Sequence, residues 1–248
     1  MPDTKIRALA PTIRFLAAMY VASALGTNLG DLYAQFFDLG LVASFALTMI
    51  VSAFLILGDM KNGPKTEIYF WTAIIIFRAG ATNVGDFITH NLHIGYLFAS
   101  VVLAIATYAA GFFTRPSPAG SSPLIDLRYW VAMFIAGVFG TIFGDLVAHS
   151  AGLLAALLML AVALAVVILI RQWLMAAVGM AGYWTIVLVE RSAGTPLGDS
   201  IDSRHGLGMS LPVASAITAG LLLIALGLRW VTTPTDADRV SETAPTSG

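Results

Sequence analysis

Four aspartates recur in one short motif, and they are the side chains of this chain best suited to bind a cation. The motif is a small residue, Thr, any two residues, Gly and Asp. Its four copies are Gly26-Thr27-Asn28-Leu29-Gly30-Asp31, Ala81-Thr82-Asn83-Val84-Gly85-Asp86, Gly140-Thr141-Ile142-Phe143-Gly144-Asp145 and Gly194-Thr195-Pro196-Leu197-Gly198-Asp199. Carboxylate and hydroxyl oxygens are ligands for hard cations. The motif therefore predicts an ion site made by Asp31, Asp86, Asp145 and Asp199 with Thr27, Thr82, Thr141 and Thr195.

The small residues and threonines of the motif also have structural interpretations. Gly26 and Gly30 and their equivalents are small residues four apart, a spacing that lets two helix backbones approach closely. A threonine on a helix can donate its hydroxyl to the carbonyl one turn earlier, or offer it to a site. The sequence leaves both roles of the threonines open.

Two histidines follow their aspartates by four residues, so that Asp86 with His90, and Asp145 with His149, share a helix face. Two imidazoles and two carboxylates suit one divalent metal ion. The same residues fit proton transfer by Asp-oriented histidines, or a haem held by both histidines if the rings face each other. A pair of interfacial histidines satisfied by aspartate is the structural alternative.

Two arginines each lie eight residues before an aspartate of the motif. Arg78 and Arg191 fall inside apolar stretches, and a charge at that depth is a functional hypothesis by default. Glu190 precedes Arg191, and because successive helical residues do not face each other, we expect Glu190 to reach Arg78. The three residues predict an internal charge layer, acting as a gate or counter-charge, or else a buried structural salt bridge.

The composition of the chain is that of a membrane protein. Of 248 residues, 58% are apolar and 11% are charged, whereas soluble domains carry about 25% charged residues. These values exclude a soluble enzyme, a disordered chain and a disulfide scaffold. Without cysteine there is no thiolate metal site, and with a net charge of −1 nothing indicates a nucleic-acid partner. No nucleotide-binding loop or catalytic motif is present, so we expect neither a nucleotide partner nor an enzyme.

Eight stretches have the length and composition of spanning helices, which need about 20 apolar residues. Four are free of Asp, Glu, Lys and Arg, and four carry charges. The uncharged stretches are 39–58, 87–114, 146–170 and 206–228, and the others are about 12–34, 67–89, 127–149 and 175–200. The fold class is therefore all-α, a polytopic bundle of eight transmembrane helices.

The repeats define the expected architecture. Each repeat is a hairpin of two spans, so all four have the same orientation and their aspartates lie at one depth. We expect a pseudo-fourfold bundle with the charged odd helices inside and the even helices facing lipid. The expected divisions are an N-terminal segment 1–10, repeats 11–60, 66–114, 127–173 and 175–230, a linker 115–126, and a disordered tail 231–248.

The four tandem hairpins, the motif, and Trp71, Trp130 and Trp184 fifteen residues before three of the aspartates resemble a bacterial family of integral membrane proteins defined by a repeat of unknown function. The resemblance implies eight helices and no particular activity. It implies a bacterial inner membrane, and the excess of Lys and Arg on one side places both termini in the cytoplasm. Lys5 to Ala24 has signal-peptide character, but cleavage would destroy the first repeat, so we expect it to be retained.

The function that these residues favour is a small secondary transporter or channel for an inorganic cation, with a divalent metal as the first choice and proton coupling as a variant. One alternative is a redox or sensor protein that binds haem or metal through His90 and His149. The other is a structural membrane subunit without chemistry of its own. The bilayer is the partner common to all three.

Overall fold

A computed structural model describes residues 12–36, 40–62, 67–117, 122–202 and 206–230. Over these residues it contains eight α-helices and no β-strand. The helices are α1 (Ile13–Phe36), α2 (Gly40–Asn62), α3 (Ile68–Asp86), α4 (Tyr96–Phe112), α5 (Leu127–Ala151), α6 (Leu153–Val178), α7 (Met180–Asp202) and α8 (Leu211–Trp230). The predicted N-terminal segment 1–10 and the predicted tail 231–248 lie outside the described residues.

Several helix boundaries differ from the expected spans. The fourth span was expected to begin at Phe87, but Phe87–Asn91 form a π-helical turn that extends α3, and α4 begins at Tyr96. The expected sixth span, 146–170, is wrong by about two turns, because α6 runs from Leu153 to Val178. The apolar run continues through the turn, so hydropathy could not locate it. The turn depends on Gly152, whose φ of 87° is accessible to glycine at little cost.

The odd-numbered helices form a closed ring at the centre of the bundle. Helix α1 packs on α3, α3 on α5, α5 on α7, and α7 back on α1. The even-numbered helices lie outside this ring. Each even helix packs mainly on the odd helix of the next repeat rather than on its own: α2 on α3, α4 on α5, α6 on α7, and α8 on α1. The two helices of one hairpin therefore make few contacts with each other. The packing of α8 on α1 joins the last repeat to the first.

The small residues of the motif make the contacts of the ring. The second glycine of each motif faces the motif threonine of the next repeat, and the first small residue faces the position eight before the next aspartate. The threonine contacts are Gly30 with Thr82, Gly85 with Thr141, Gly144 with Thr195 and Gly198 with Thr27, and the others are Gly26 with Arg78, Gly137 with Ala81, Gly140 with Arg191 and Gly194 with Ser23. Close backbone approach of this kind is the usual role of small residues four apart in membrane helices.

The outer surface of the bundle is apolar. Large apolar side chains of α4 and α6, such as Phe98, Ile105, Leu158 and Leu169, are more than half exposed. Contiguous apolar surface of this extent marks contact with lipid or another apolar partner. Within the described residues, three helices are long and apolar enough to cross a membrane: Leu127–Ala151, Leu153–Val178 and Leu211–Leu228. These helices indicate a membrane protein.

The glycine contacts give a testable consequence. A Cβ added at Gly140 would lie 2.6 Å from Arg191 Cβ and 2.7 Å from the Arg191 carbonyl oxygen. Since backbone atoms cannot yield as a flexible side chain does, we expect Gly140→Ala to destabilise the fold by about 1–3 kcal/mol. The measurement is the thermal unfolding midpoint of the purified protein in detergent.

Gly220 supplies the matched control, because no heavy atom lies within 4 Å of a Cβ added there. Gly220→Ala is expected to stabilise α8 by about 0.5–1 kcal/mol, as alanine is the better helix former. Equal midpoints for the two variants would contradict the role assigned to the ring glycines.

Candidate functional site

Residues four apart on the central helices form five layers along the axis of the ring. Four residues of helix rise about 6 Å, so the layers span most of the bundle. In order they are the aromatic layer (Phe15, Phe70, Tyr129, Tyr183), the Met layer (Met19, Ile74, Met133, Val187), the Arg layer (Ser23, Arg78, Gly137, Arg191), the Thr layer (Thr27, Thr82, Thr141, Thr195) and the Asp layer (Asp31, Asp86, Asp145, Asp199). All but the Asp layer are buried.

The guanidinium of Arg78 lies on the axis and extends from the Arg layer into the Thr layer. It is 2% exposed and all three of its nitrogens donate hydrogen bonds. Nε donates to Ser23 Oγ at 3.1 Å, and Nη2 donates to Thr195 Oγ1 at 2.8 Å. Nη1 has three acceptors: Thr82 Oγ1 at 3.2 Å, the Gly137 carbonyl at 3.1 Å and Thr141 Oγ1 at 2.5 Å. These acceptors come from all four central helices. Every one of them is a neutral oxygen.

Three of the motif threonines donate their hydroxyls to backbone carbonyls, and three accept hydrogen bonds from Arg78. Thr82 donates to the Arg78 carbonyl at 3.3 Å and Thr27 to the Ser23 carbonyl at 3.1 Å, each one turn back on its own helix. Thr195 donates across the ring to the Gly140 carbonyl at 3.1 Å. A threonine hydroxyl whose proton is committed in this way still presents lone pairs to a cation.

Arg191 points the opposite way, into the Met layer. Its Nη2 lies 3.1 Å from the sulfur of Met133 and 4.0 Å from that of Met19, both weak acceptors. Its Nε lies 3.4 Å from Glu190 Oε2, and its Nη1 has no hydrogen-bond partner within the described part of the chain. The expectation that Glu190 reaches Arg78 is therefore wrong. Both side chains are long enough to bend together, and burial in an apolar interior favours the pairing of charges.

The four aspartates lie at one level, at one end of the ring, because they occupy equivalent positions on its four helices. Each is partly exposed, and their charges are close enough to interact with one another and with that of Arg78. With the residues that the structure describes, these four carboxylates make no hydrogen bond or ion pair. They are thus neither tied to backbone amides nor paired with a cationic side chain.

His90 and His149 both lie beside Tyr96 at the Asp end. The His149 ring is 5.0 Å from the Tyr96 ring between centroids, and its Nδ1 is 2.9 Å from the carbonyl oxygen of Asp145. His90 Nε2 is 3.4 Å from the Tyr96 hydroxyl. Both histidines are exposed, and each makes its contacts with Tyr96 and its own helix.

The predicted metal site of His90, His149, Asp86 and Asp145 is not assembled in this structure. Over the described ranges, no three His, Asp or Glu side chains are grouped closely enough to hold a metal ion. The pairs Asp86/His90 and Asp145/His149 do lie at the same end of the bundle. Sequence spacing could not predict the direction of their side chains. The Asp layer remains the candidate site.

Two asparagines of the motif were missed by the sequence reasoning. Asn28 and Asn83 are 0% and 1% exposed, and neither amide has a hydrogen-bond partner among the described residues. The other two repeats have Ile142 and Pro196 at this position. Asn28 Oδ1 lies at the α1–α7 contact against Gly198. The signal that could have revealed them is this polar pair at a motif position that is otherwise apolar.

Comparison with known proteins gives one match. Residues 182–235, which contain most of α7 and all of α8, match a family model described as Repeat of Unknown Function (DUF347). No curated protein and no solved structure matches the chain. The match is consistent with a family built from a repeat of unknown function. It assigns no activity to the axial residues.

The Arg78 contacts predict that equivalent threonines differ in importance. Thr141→Val keeps the shape that packs on Gly85 but removes the acceptor nearest to the guanidinium, and we expect a loss of about 1.5–3 kcal/mol, typical of a hydrogen bond to a charged group. Thr27→Val removes only a bond to its own helix, so its loss should be below about 1 kcal/mol. Thermal unfolding in detergent compares them, and equal losses would contradict the assigned network.

Proposed function

We propose that this chain is an eight-span membrane carrier for a small cation, with the Asp layer as the outer binding site and Arg78 as the charge that closes the axis behind it. The observation that carries the proposal is the Asp layer itself. Four partly exposed carboxylates from four helices lie in one layer at the same end of the ring, without a hydrogen-bond or ion-pair partner among the described residues. Carboxylates at membrane depth are costly unless paired or hydrated, and a bound cation offsets that cost.

Several features favour a carrier over an open channel. The aromatic, Met and Arg layers are packed and buried, and the guanidinium of Arg78 fills the axis at the Thr layer. A cation that entered at the Asp layer would meet a fixed positive charge one turn further in. Passage therefore requires that Arg78 move, which is a conformational step of the kind that defines carriers.

In the proposed topology all eight helices cross the membrane, and not only the three that are apolar enough by length and composition. The ring helices α1, α3 and α7 are flanked by the apolar helices α8, α2 and α6, which shield their charges from lipid. A bundle in which four equivalent hairpins close on themselves supports a single depth for all of them. With an even number of spans and the excess of Lys and Arg on one side, both termini lie in the cytoplasm in this proposal, at the inner membrane of a bacterium.

The arrangement of side chains supports a proton or a monovalent cation over a divalent metal. A divalent ion needs several ligands within about 2.0–2.6 Å of one point, and the described carboxylates and imidazoles form no such group. The haem alternative required His90 and His149 to face each other, whereas both rings border Tyr96. The Asp layer is the element of the sequence-based hypothesis that the geometry favours.

The test uses Asp145→Asn and Asp86→Asn, which remove charge at constant size. For protein reconstituted in liposomes, we expect uptake of at least one of Na⁺, K⁺, NH₄⁺ or H⁺, and a loss of apparent affinity of about tenfold or more in each variant, the effect of about 1.4 kcal/mol. Stabilisation of the detergent-solubilised protein by the same cation, read as a rise in unfolding midpoint, should fall in parallel.

Asp126→Asn is the matched control. Asp126 is the N-cap of α5 at the aromatic end and pairs with the exposed Arg115 at 3.0 Å. Asp126 is buried and its Oδ1 accepts from the backbone N–H groups of Arg128 and Tyr129. Asparagine keeps this capping oxygen, and the lost ion pair has an exposed arginine, so we expect at most a small loss of stability and wild-type uptake and cation stabilisation. Uptake and cation stabilisation that persist unchanged in both Asp-layer variants would show that the layer is not the binding site.

A further inference from the structure

The oxygens that accept hydrogen bonds from Arg78 form a cage around its guanidinium. They come from all four repeats, whereas the guanidinium belongs to one repeat. Five neutral oxygens from the four central helices surround the guanidinium at 2.5–3.2 Å from its nitrogens. The threonine that supplies such an oxygen recurs in all four repeats, whereas the arginine enters the cage from one repeat only. The threonine oxygens therefore belong to the repeated framework of the ring, and Arg78 is the one side chain that fills the space between them.

We propose that this cage, defined as Ser23, Thr82, the Gly137 carbonyl, Thr141 and Thr195, is a binding site for small cations that carry N–H donors, guanidinium and ammonium, and that Arg78 occupies it as a tethered substitute. The inference rests on the proposed function and names the substrate class of the same axial pathway. Arg78 then acts as a plug that the substrate displaces.

The second arginine shows that the cage is specific to its layer. Arg191 starts in the same layer as Arg78, yet its guanidinium lies among the sulfurs of Met19 and Met133, and its Nη1 makes no hydrogen bond to any described residue. Burial of an arginine in this bundle is therefore not sufficient to surround it with oxygen acceptors. The acceptors are concentrated on the Asp side of the Arg layer, where a cation entering from the mouth would arrive.

The chemistry of the cage favours N–H cations. Hydroxyl and carbonyl oxygens accept hydrogen bonds without adding charge, and guanidinium has a planar array of N–H donors that needs acceptors in several directions. The Asp layer, one turn away, supplies the negative charge that attracts the cation. Displacement of Arg78 is part of the proposal: its side chain leaves the five oxygens when the substrate binds to them.

The experiment is chemical rescue of Arg78→Ala in the full-length protein. We expect millimolar guanidinium or ammonium to raise the unfolding midpoint of this variant by several degrees and to leave wild type unchanged, because Arg78 already fills the cage. Na⁺, K⁺ and tetramethylammonium, which have no N–H donors, should give no rise. A rise with K⁺ equal to that with guanidinium would overturn the assignment to N–H cations.

Two further variants separate a specific cage from a generic hole. Arg78→Ala combined with Thr195→Val should lose most of the rescue, since one acceptor is gone. Glu190→Leu combined with Arg191→Ala removes a second buried arginine and leaves a space bordered by the sulfurs of Met19 and Met133 in place of threonine oxygens, and should show no rescue. Equal rescue of that control would overturn the proposal. Folding of Arg78→Ala only when guanidinium is present during extraction would count as the expected rescue. Failure of this variant to fold even with guanidinium present would overturn the proposal.

Transport distinguishes this proposal from the proposed function. In liposomes, Arg78→Ala should pass guanidinium and ammonium faster than wild type, whereas a purely structural arginine would change stability without opening a path. If guanidinium stabilises and crosses Arg78→Ala but Asp145→Asn has no effect on uptake, the cage stands and the Asp layer fails as the entry site. If the Asp variants behave as proposed but no N–H cation binds, the cage assignment alone fails.

Discussion

Close approach of four helices at their small residues is the constraint on which the rest of the structure depends. The ring closes because seven of the eight small motif residues are glycines without a Cβ, so that backbone of one helix lies against the side chain at the facing position of the next. The eighth, Ala81, is accommodated because the residue that it faces is Gly137. In lipid, helices gain little from burying apolar surface against each other, and van der Waals contact between backbones takes its place. The same contact brings the threonines and aspartates of the motif to a common axis.

A buried guanidinium surrounded by neutral oxygens is the electrostatic consequence of that ring. A charge of this kind is costly to bury, and the bundle offsets the cost in two ways, with hydrogen bonds from four helices and with the negative Asp layer one turn away. The two layers therefore depend on each other. In the proposed carrier, a cation on this axis needs both the attraction of the carboxylates and the displacement of Arg78, so that binding and opening are coupled.

Duplication explains the symmetry of the bundle, and departures from it mark the functional candidates. Parallel repeats place equivalent residues at one depth, and so four threonines and four aspartates form complete layers. The Arg layer breaks the symmetry, with Ser23 and Gly137 between two arginines that point to opposite ends of the bundle. The buried amides of Asn28 and Asn83 break it again beside the Asp layer. These exceptions place polar groups in the interior of the ring, and a site is one reason for their presence.

Composition and repeat spacing are local properties of the chain, and they are sufficient to predict the all-helical class, the membrane character, and the number and periodicity of the motifs. The four-residue spacing from Phe15 to Asp31, present in every repeat, is also visible in the sequence. Spacing cannot predict that even helices pack on the next repeat, that Glu190 bends to Arg191, that His90 and His149 both turn to Tyr96, or that Arg78 lies among the threonines. Each of these depends on which way a side chain or hairpin turns, and that is fixed only by the neighbouring helices against which it packs.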